Sequence, residues 1–302
     1  MQQQSRDDFE IIVVDNAGDE PLAQAVDAFN TTARIAVALI AEPQLGLHHA
    51  RHAGVRVAQA QVLAFADDDV TFAPDWSAGY IDAFIQHPEM AAAGGPSRAA
   101  WDAPPPPWLT AVMARRSSFF PLSVRDLGPE FRPGERESFW GLNMAIRRSA
   151  LVVAGGFNPE LFGDVYLGDG EGGLFRKLCA RGELIGYVPR ALVHHHIPTS
   201  RMSMEFFRRR MANEGAAEMY HALRQGRSST MSVAHRAVSA TLLAVPFALA
   251  DVLARISRRP RAVRVQFLAH RLRGGASYAW RVVADAELRQ LVFRDDWLTQ
   301  RQ

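Results

Sequence analysis

The chain has 302 residues, of which 48% are hydrophobic and 22% charged, and its formal net charge is only +2. Those values suit a folded soluble protein, one large domain or a domain with an appendage, and they argue against a strongly basic nucleic-acid binder. Cys179 is the only cysteine, which excludes an internal disulfide and fits a reducing compartment.

The polar start, "MQQQSRDDFE", has no basic segment followed by an apolar one, so no secretory signal is read there. "FEIIVVDNAGDE" predicts a short buried strand from Phe9 to Val14, stopped by Asp15, Asn16 and Gly18. A helix is expected from about Pro21 to Asn30, with Pro21 near its first turn. "RIAVALIAE" is a second strand. "GLHHARHAGVRVAQA" has helical spacing, with Leu47, Ala50, Ala53, Gly54 and Val57 along one side. "QVLAFADDDV" is the next strand and runs into Asp67, Asp68 and Asp69. Pro74 and Trp76 open another helix that reaches about His87, and "MAAAGGPS" is a strand ending in a turn.

The pattern is lost from Trp101 to Phe139. Pro104 to Pro107 favour an extended segment there, and a long loop region over the site is expected. "FWGLNMAIRRSALVVAGGF" restores regularity as a strand and a short helix. "GDGEGGLFRKLCARG" opens a helix after a glycine-rich turn. "LIGYVPRALVHHHIP" supplies one or two short strands, and "MEFFRRRMANEGAAEMYHALRQG" is a long helix. Mostly helix is expected from Gly226 onward.

Alternating strands and helices with short connections indicate an α/β fold with a mainly parallel sheet. Ligands bind beyond the carboxyl ends of such strands, so Asp15 and the acids at 67–69 can converge.

Four features carry possible chemistry, and each has an ordinary structural explanation beside it. The three acids read equally as a solvated turn and as an oxygen-rich site for Mg²⁺ or Mn²⁺ with phosphate. Asp169 and Glu171 sit among glycines before a helix, where they can cap its N-terminus or take a proton from a hydroxyl. His194, His195 and His196 offer imidazole to a metal, but neighbours on a strand alternate sides, so they cannot all face one site. Trp140 can stack on a sugar or pack in the core, and Gly141 permits close approach, with Asn143 beside them on the acceptor side. Arg51 is either a nucleotide contact or a surface ion pair.

In this order the motifs "FEIIVVDNAGDE", "GLHHARHAGVRVAQAQVLAFADDDV", "FWGLNMAIRRSALVVAGGF", "GDGEGGLFRKLCARG" and "VPRALVHHHIP" resemble family 2 glycosyltransferases with the GT-A fold. The resemblance covers roughly residues 9 to 200. It implies a Rossmann-like α/β/α sandwich, and transfer of a sugar from a nucleotide-sugar donor, a UDP-sugar first of all, with inversion. By the same resemblance Asp67 and Asp69 match the DXD motif, with Asp69 the ligand of Mn²⁺ or Mg²⁺. His195 is the choice for the family's histidine after the last strand. Asp15, Asn16 and Arg51 match positions that contact the nucleotide base, and Asp68 is grouped with the donor contacts. Glu171 falls where the family has its catalytic-base aspartate, and Asp169 is the alternative base. The acceptor would be a sugar, a glycolipid or a polysaccharide.

One departure concerns the start. Members of the family place a strand, a loop and a helix before the strand that matches "FEIIVVDN". Only short polar sequence precedes it here, so an open flank of the base pocket is expected. A degenerate, non-catalytic binding domain is the competing reading.

The first 200 residues are expected to form the GT-A-like domain and residues 201–302 a helical region. Arg208, Arg209 and Arg210 follow the histidines on a helix and can meet a donor diphosphate or stay solvated. Ala237 to Ala250 is an uncharged run, short for a membrane span and interrupted by Pro246. Arg255, Arg258, Arg259, Arg261, Arg264, Arg271 and Arg273 follow it. An apolar stretch beside a basic cluster suits the surface of an anionic membrane, for a cytoplasmic and peripheral protein, and a packed helical appendage is the competing reading.

Overall fold

The computed structural model describes residues 3–298 except 17, 19, 36, 115, 135–137, 160, 163, 164, 167, 227, 228, 258 and 259. Its first half alternates strands and helices as expected. In chain order it runs β1 (Ile11–Asp15), α1 (Glu20–Asn30), β2 (Val37–Ala41), α2 (Leu47–Val57), β3 (Val62–Phe65), β4 (Val70–Phe72), α3 (Trp76–Gln86), β5 (Met90–Gly94) and β6 (Ser97–Trp101).

The stretch read as a loop contains short elements instead: α4 (Pro107–Met113), β7 (Ser118–Phe119), β8 (Val124–Arg125) and β9 (Arg132–Pro133). The proline run does not stay extended throughout, because its last member, Pro107, takes the first helical position, where a missing N–H costs nothing. Then come β10 (Met144–Arg147), α5 (Arg148–Val153), β11 (Leu161–Phe162), β12 (Val165–Tyr166), α6 (Gly170–Ala180), β13 (Leu184–Tyr187) and β14 (Val193–Ile197). The helical region is α7 (Met204–Arg224), α8 (Thr230–Ser257), α9 (Pro260–Ala284) and α10 (Ala286–Val292).

Among the described residues the central sheet has the order β3-β10-β5-β13-β9. β5 and β13 are parallel, and β10 runs antiparallel between β3 and β5. A second sheet, β4-β14-β6-β8-β7, holds β14 parallel to β6. β1 and β2 form a separate parallel pair. Met90 to Gly94 are all buried in β5, whereas every residue of β1 is only half-buried. The backbone ladder is therefore not continuous between β1 and β3 among the described residues.

Burial of apolar side chains on both sides of the central sheet supplies the main stabilisation. Leu63, Met144, Ile146, Phe157, Leu174, Phe175 and Tyr187 form one core, and Trp76, Tyr80, Phe84, Leu142 and Val193 another. The helical region is packed onto this body rather than tethered to it. Phe207 of α7 and Val263 of α9 share a cluster with Leu109, Leu122 and Ile197, and Leu298 joins the core of the central sheet. Helices α7 and α9 approach backbone to backbone, since a Cβ at Gly215 would overlap the Arg271 carbonyl.

The apolar run near the C-terminus lies in a helix longer than the run itself. α8 has 28 residues and continues through Pro246, which removes one ladder bond without ending it. Its segment Thr230–Leu253 is long and apolar enough to cross a membrane. Val233, Ala237, Ala244 and Asp251 form its buried seam, while Leu242, Leu243, Val245, Leu249, Val252 and Leu253 are exposed. Of the arginines read as a basic cluster, Arg258 and Arg259 lie outside the described residues.

Candidate active site

The strand that leads to the three aspartates ends at Phe65. Asp68 and Asp69 form a turn before β4. Aspartate is a poor strand residue, and three in a row repel one another, so the ladder breaks there. Asp67 and Asp69 therefore do not lie on a continuing strand. Their carboxylates have different partners. Asp67 Oδ1 accepts from Arg51 Nη2 at 2.9 Å, whereas Asp69 Oδ2 accepts from Arg201 Nη1 at 2.7 Å. Asp68 is exposed.

Arg51 sits on the buried face of α2. Its Nη1 donates to Glu171 Oε1 at 2.5 Å, so one guanidinium joins Glu171 to Asp67. The guanidinium also lies 5.6 Å from the centre of the Phe157 ring. Arg51 is 7% exposed, which corrects both readings of it as a surface or nucleotide contact. Two carboxylates draw it inward, and neither is near it in sequence. Gly141 makes room for it. A Cβ there would overlap the guanidinium, and the Gly141 N–H donates to Glu171 Oε1 at 3.2 Å.

Glu171 lies in the first turn of α6, on the side of Arg51. Burial disfavours its ionised form, but the Arg51 charge outweighs that cost and holds its pKa well below the usual carboxylate range. Asp67 responds oppositely. Burial pushes its pKa up, with Glu171 adding to the rise, although Arg51 works against it. His48 lies 3.9 Å from Glu171 Oε2, and burial lowers its pKa to about 3.

Asp169 has a different task from the alternative base role. Its Oδ1 accepts from Asn158 Nδ2 at 2.7 Å and its Oδ2 pairs with Arg176. With both oxygens engaged beneath α6, it locks the helix start. Asn143 is likewise corrected from an acceptor contact to an internal clasp. Trp76 Nε1 and Tyr80 Oη donate to its Oδ1, and its Nδ2 donates to the carbonyls of Pro96 and Ala191. Asn16 is also spent internally: Nδ2 donates to the Glu42 and Gln44 carbonyls, and Oδ1 accepts from Gly46 N–H. Asp15 ends β1 and accepts from Gly18 N–H at 2.8 Å, on the two-stranded flank. Trp140 is half-buried, with the Arg125 guanidinium 5.1 Å from its ring centre.

His195 is the buried member of the histidine triplet, while His194 and His196 point outward. Its Nδ1 lies 2.9 Å from the Leu122 carbonyl, which only accepts, so Nδ1 carries a proton. Its Nε2 is 3.3 Å from Asp69 Oδ2 and 3.0 Å from Arg201 Nη1. An arginine only donates, so Nε2 presents its lone pair. Burial works against the Asp69 carboxylate, but the Arg201 charge beside it favours the ionised form, and its pKa is lowered.

These groups fit a divalent cation. Asp69 Oδ1 is a buried oxygen without a hydrogen-bond partner, beside an imidazole whose tautomer is set by its second hydrogen bond. Among the described residues no three acidic, histidine or cysteine side chains group as a metal site. Further coordination would thus fall to oxygens of a ligand, the usual arrangement for Mg²⁺ with phosphates.

The profile described as Glycosyl transferase family 2 matches residues 1–152. The glucosyl-dolichyl phosphate glucuronosyltransferase of Haloferax volcanii is 24% identical over 205 residues, 64% of this chain and 61% of that one. The match therefore spans less than two thirds of that relative. The succinoglycan biosynthesis protein ExoM of Rhizobium meliloti is 25% identical over 243 residues, 78% of this chain and 74% of that one. Among solved structures, the mannosyltransferase PcManGT from Pyrobaculum calidifontis, in complex with GDP-Man and Mn²⁺, shares the fold. Its TM-score is 0.56 at 20% identity, over 92% of this chain and 80% of that one.

Proposed function

The chain belongs to glycosyl transferase family 2, and on that premise we propose that it is a metal-dependent inverting glycosyltransferase acting from a nucleotide-sugar donor, UDP-linked in the first instance. The observation that carries the proposal is the contact chain Glu171–Arg51–Asp67. One buried guanidinium fixes the candidate base against the acid cluster, although the carboxylates come from distant parts of the sequence.

The acceptor oxygen bonds to the anomeric carbon as the bond from that carbon to the diphosphate oxygen breaks on the opposite face. The hydroxyl proton goes to Glu171, and the electron pair of the broken bond leaves with the nucleoside diphosphate. Glu171 is held ionised, so it can receive that proton at neutral pH. Its low basicity suffices because a hydroxyl becomes acidic as its oxygen bonds to an electron-poor carbon. Arg51 and the Gly141 N–H orient the carboxylate, which is the positioning part of the rate gain. Asp69 and His195 are the residues that would hold Mn²⁺ or Mg²⁺, and a bound ion offsets the charge of the departing diphosphate. Asp15, Asp67 and Asp68 are the proposed donor contacts, and Trp140 with Gly141 borders the acceptor side.

Glu171→Gln keeps the shape and a hydrogen-bond acceptor for Arg51 while removing the base. Transfer should fall by about 10²–10⁴-fold, with Mn²⁺-dependent donor binding retained by calorimetry. Unchanged turnover would sink the assignment.

One relative's name specifies glucosyl-dolichyl phosphate and the other's succinoglycan biosynthesis. In keeping with those names we propose a lipid-linked or polysaccharide acceptor for this chain, and a boundary near residue 200 between the transfer domain and the helices. We place those helices on the cytoplasmic face of an anionic membrane. From Gly226 onward there are thirteen arginines and five acids, whereas the preceding residues have 27 acids and 21 basic side chains. The exposed apolar face of α8 lies in that basic region. The chain should float with vesicles containing phosphatidylglycerol and less so as salt rises, and Leu242→Glu with Leu249→Glu should release it. Equal recovery of the double variant would refute the placement.

A further inference from the structure

Arg201 joins the site without any sequence signal. It lies on the 3-10 turn Thr199–Met202 directly after β14. Its Nη1 is 2.7 Å from Asp69 Oδ2 and 3.0 Å from His195 Nε2. The two candidate metal ligands thus hold one and the same cationic nitrogen. A guanidinium stays charged at any working pH. It can serve there as a fixed positive charge between a carboxylate oxygen and an imidazole lone pair, the place where a divalent ion would draw the same two donors.

We propose that Arg201 is a placeholder cation, filling the Asp69–His195 site of the nucleotide-free protein and leaving it when a metal–diphosphate pair binds. This inference rests on the metal-dependent reading above.

Three features support an exchange rather than a permanent strut. First, Asp69 is close to other carboxylates in sequence and partly buried, so its charge needs a counter-ion when no metal is present. Second, the Arg201 side chain is 37% exposed and springs from a short turn, so it can rotate away without opening the core. Third, Asp69 Oδ1 stays without a partner while Arg201 occupies the other oxygen, so the guanidinium satisfies the site incompletely. An arriving divalent ion alone must displace Arg201 and leave its charge without a carboxylate. An ion that arrives with a nucleoside diphosphate brings the phosphate oxygens that a displaced guanidinium binds well. Metal and nucleotide binding are thereby coupled through one side chain, and the coupling is reciprocal.

The test is Mn²⁺ binding to the whole chain without nucleotide, followed by the spin-resonance signal of free Mn²⁺. Arg201→Gln should bind Mn²⁺ alone at least about fivefold tighter than the unaltered protein, the lower end of ordinary coupling. Arg201→Lys, which keeps the charge, should stay within about twofold of it on the same scale. UDP or GDP should tighten Mn²⁺ binding in the unaltered protein and do so less in Arg201→Gln. Asp69→Asn should abolish the Mn²⁺ binding in every background. If Arg201→Gln binds Mn²⁺ no tighter while the unaltered protein still binds it with nucleotide, the placeholder role is wrong and the metal reading stands. If no protein binds Mn²⁺ with or without either nucleotide, both are overturned.

Discussion

Arg51 and Arg201 each bridge two acceptors of the same site, but they are held in different ways. Arg51 rises from the middle of α2, is 7% exposed, touches Phe157 and fits over the bare face of Gly141. It joins two carboxylates from opposite parts of the chain. Arg201 projects from a short turn at the surface and joins one carboxylate to one imidazole. The difference teaches that a cation in a site can have two uses. Buried itself and paired with two carboxylates, it fixes geometry. Half-exposed beside an oxygen with no partner, it is suited to being replaced.

The largest test of that contrast is stability. Arg51→Met fills similar volume but leaves the largely enclosed Glu171 and the partly buried Asp67 without their shared counter-charge. Removing one partner of a buried ionic group costs about 3–5 kcal/mol, most of it the desolvated charge left behind. Arg201→Gln should cost no more than about 1 kcal/mol, since half-exposed pairs are screened by water. Urea unfolding of the two variants measures both. Similar losses would remove the distinction between strut and placeholder.

The contrast also shows which parts of the site were legible in the sequence. The order of strands and helices was, because apolar runs and the Gly, Pro and Asp punctuation between them are local signals. So was the alternation of the three histidines, of which only the middle one is buried, because strand neighbours face opposite sides. The use of Arg51 was not, since its helical spacing says nothing of carboxylates 16 and 120 residues away. Asn143 and Asn16 misled for a related reason. An amide beside a motif looks available until the carbonyls it serves are placed, and for Asn143 those are Pro96 and Ala191. Arg201 had no signal at all. "IPTSRMSM" has no spacing or charge pattern, and Asp69 is 132 residues away.

A smaller, graded effect comes from acid. The sealed side carries His48 and His52 on the same helix as Arg51, and burial lowers both pKa values from 6.5 to about 3. His52 has a structural reason to stay unprotonated at Nε2, which accepts from the Phe157 N–H at 3.0 Å. Between pH 6.5 and 3 the unfolded chain takes up protons at these positions and the folded chain does not. Stability therefore falls as the pH drops below 6.5, by about 1.4 kcal/mol per pH unit for each histidine once well below that value. His49, lowered for the same reason of burial, acts in the same direction. Glu171 and Asp69 have lowered pKa values, so their stabilising contributions persist through pH 5.5 and are lost only in stronger acid. The slope between pH 6.5 and 5.5 thus belongs to buried histidines, His48 and His52 of the sealed side above all, with His221 on α7, also lowered by burial, acting in the same direction. His52→Gln retains an acceptor for the Phe157 N–H but cannot be protonated, so urea unfolding across that interval should show a shallower slope. A slope unchanged in His52→Gln would mean that His52 is protonated in the folded state, and the closed character assigned to the Arg51 side would fail with it.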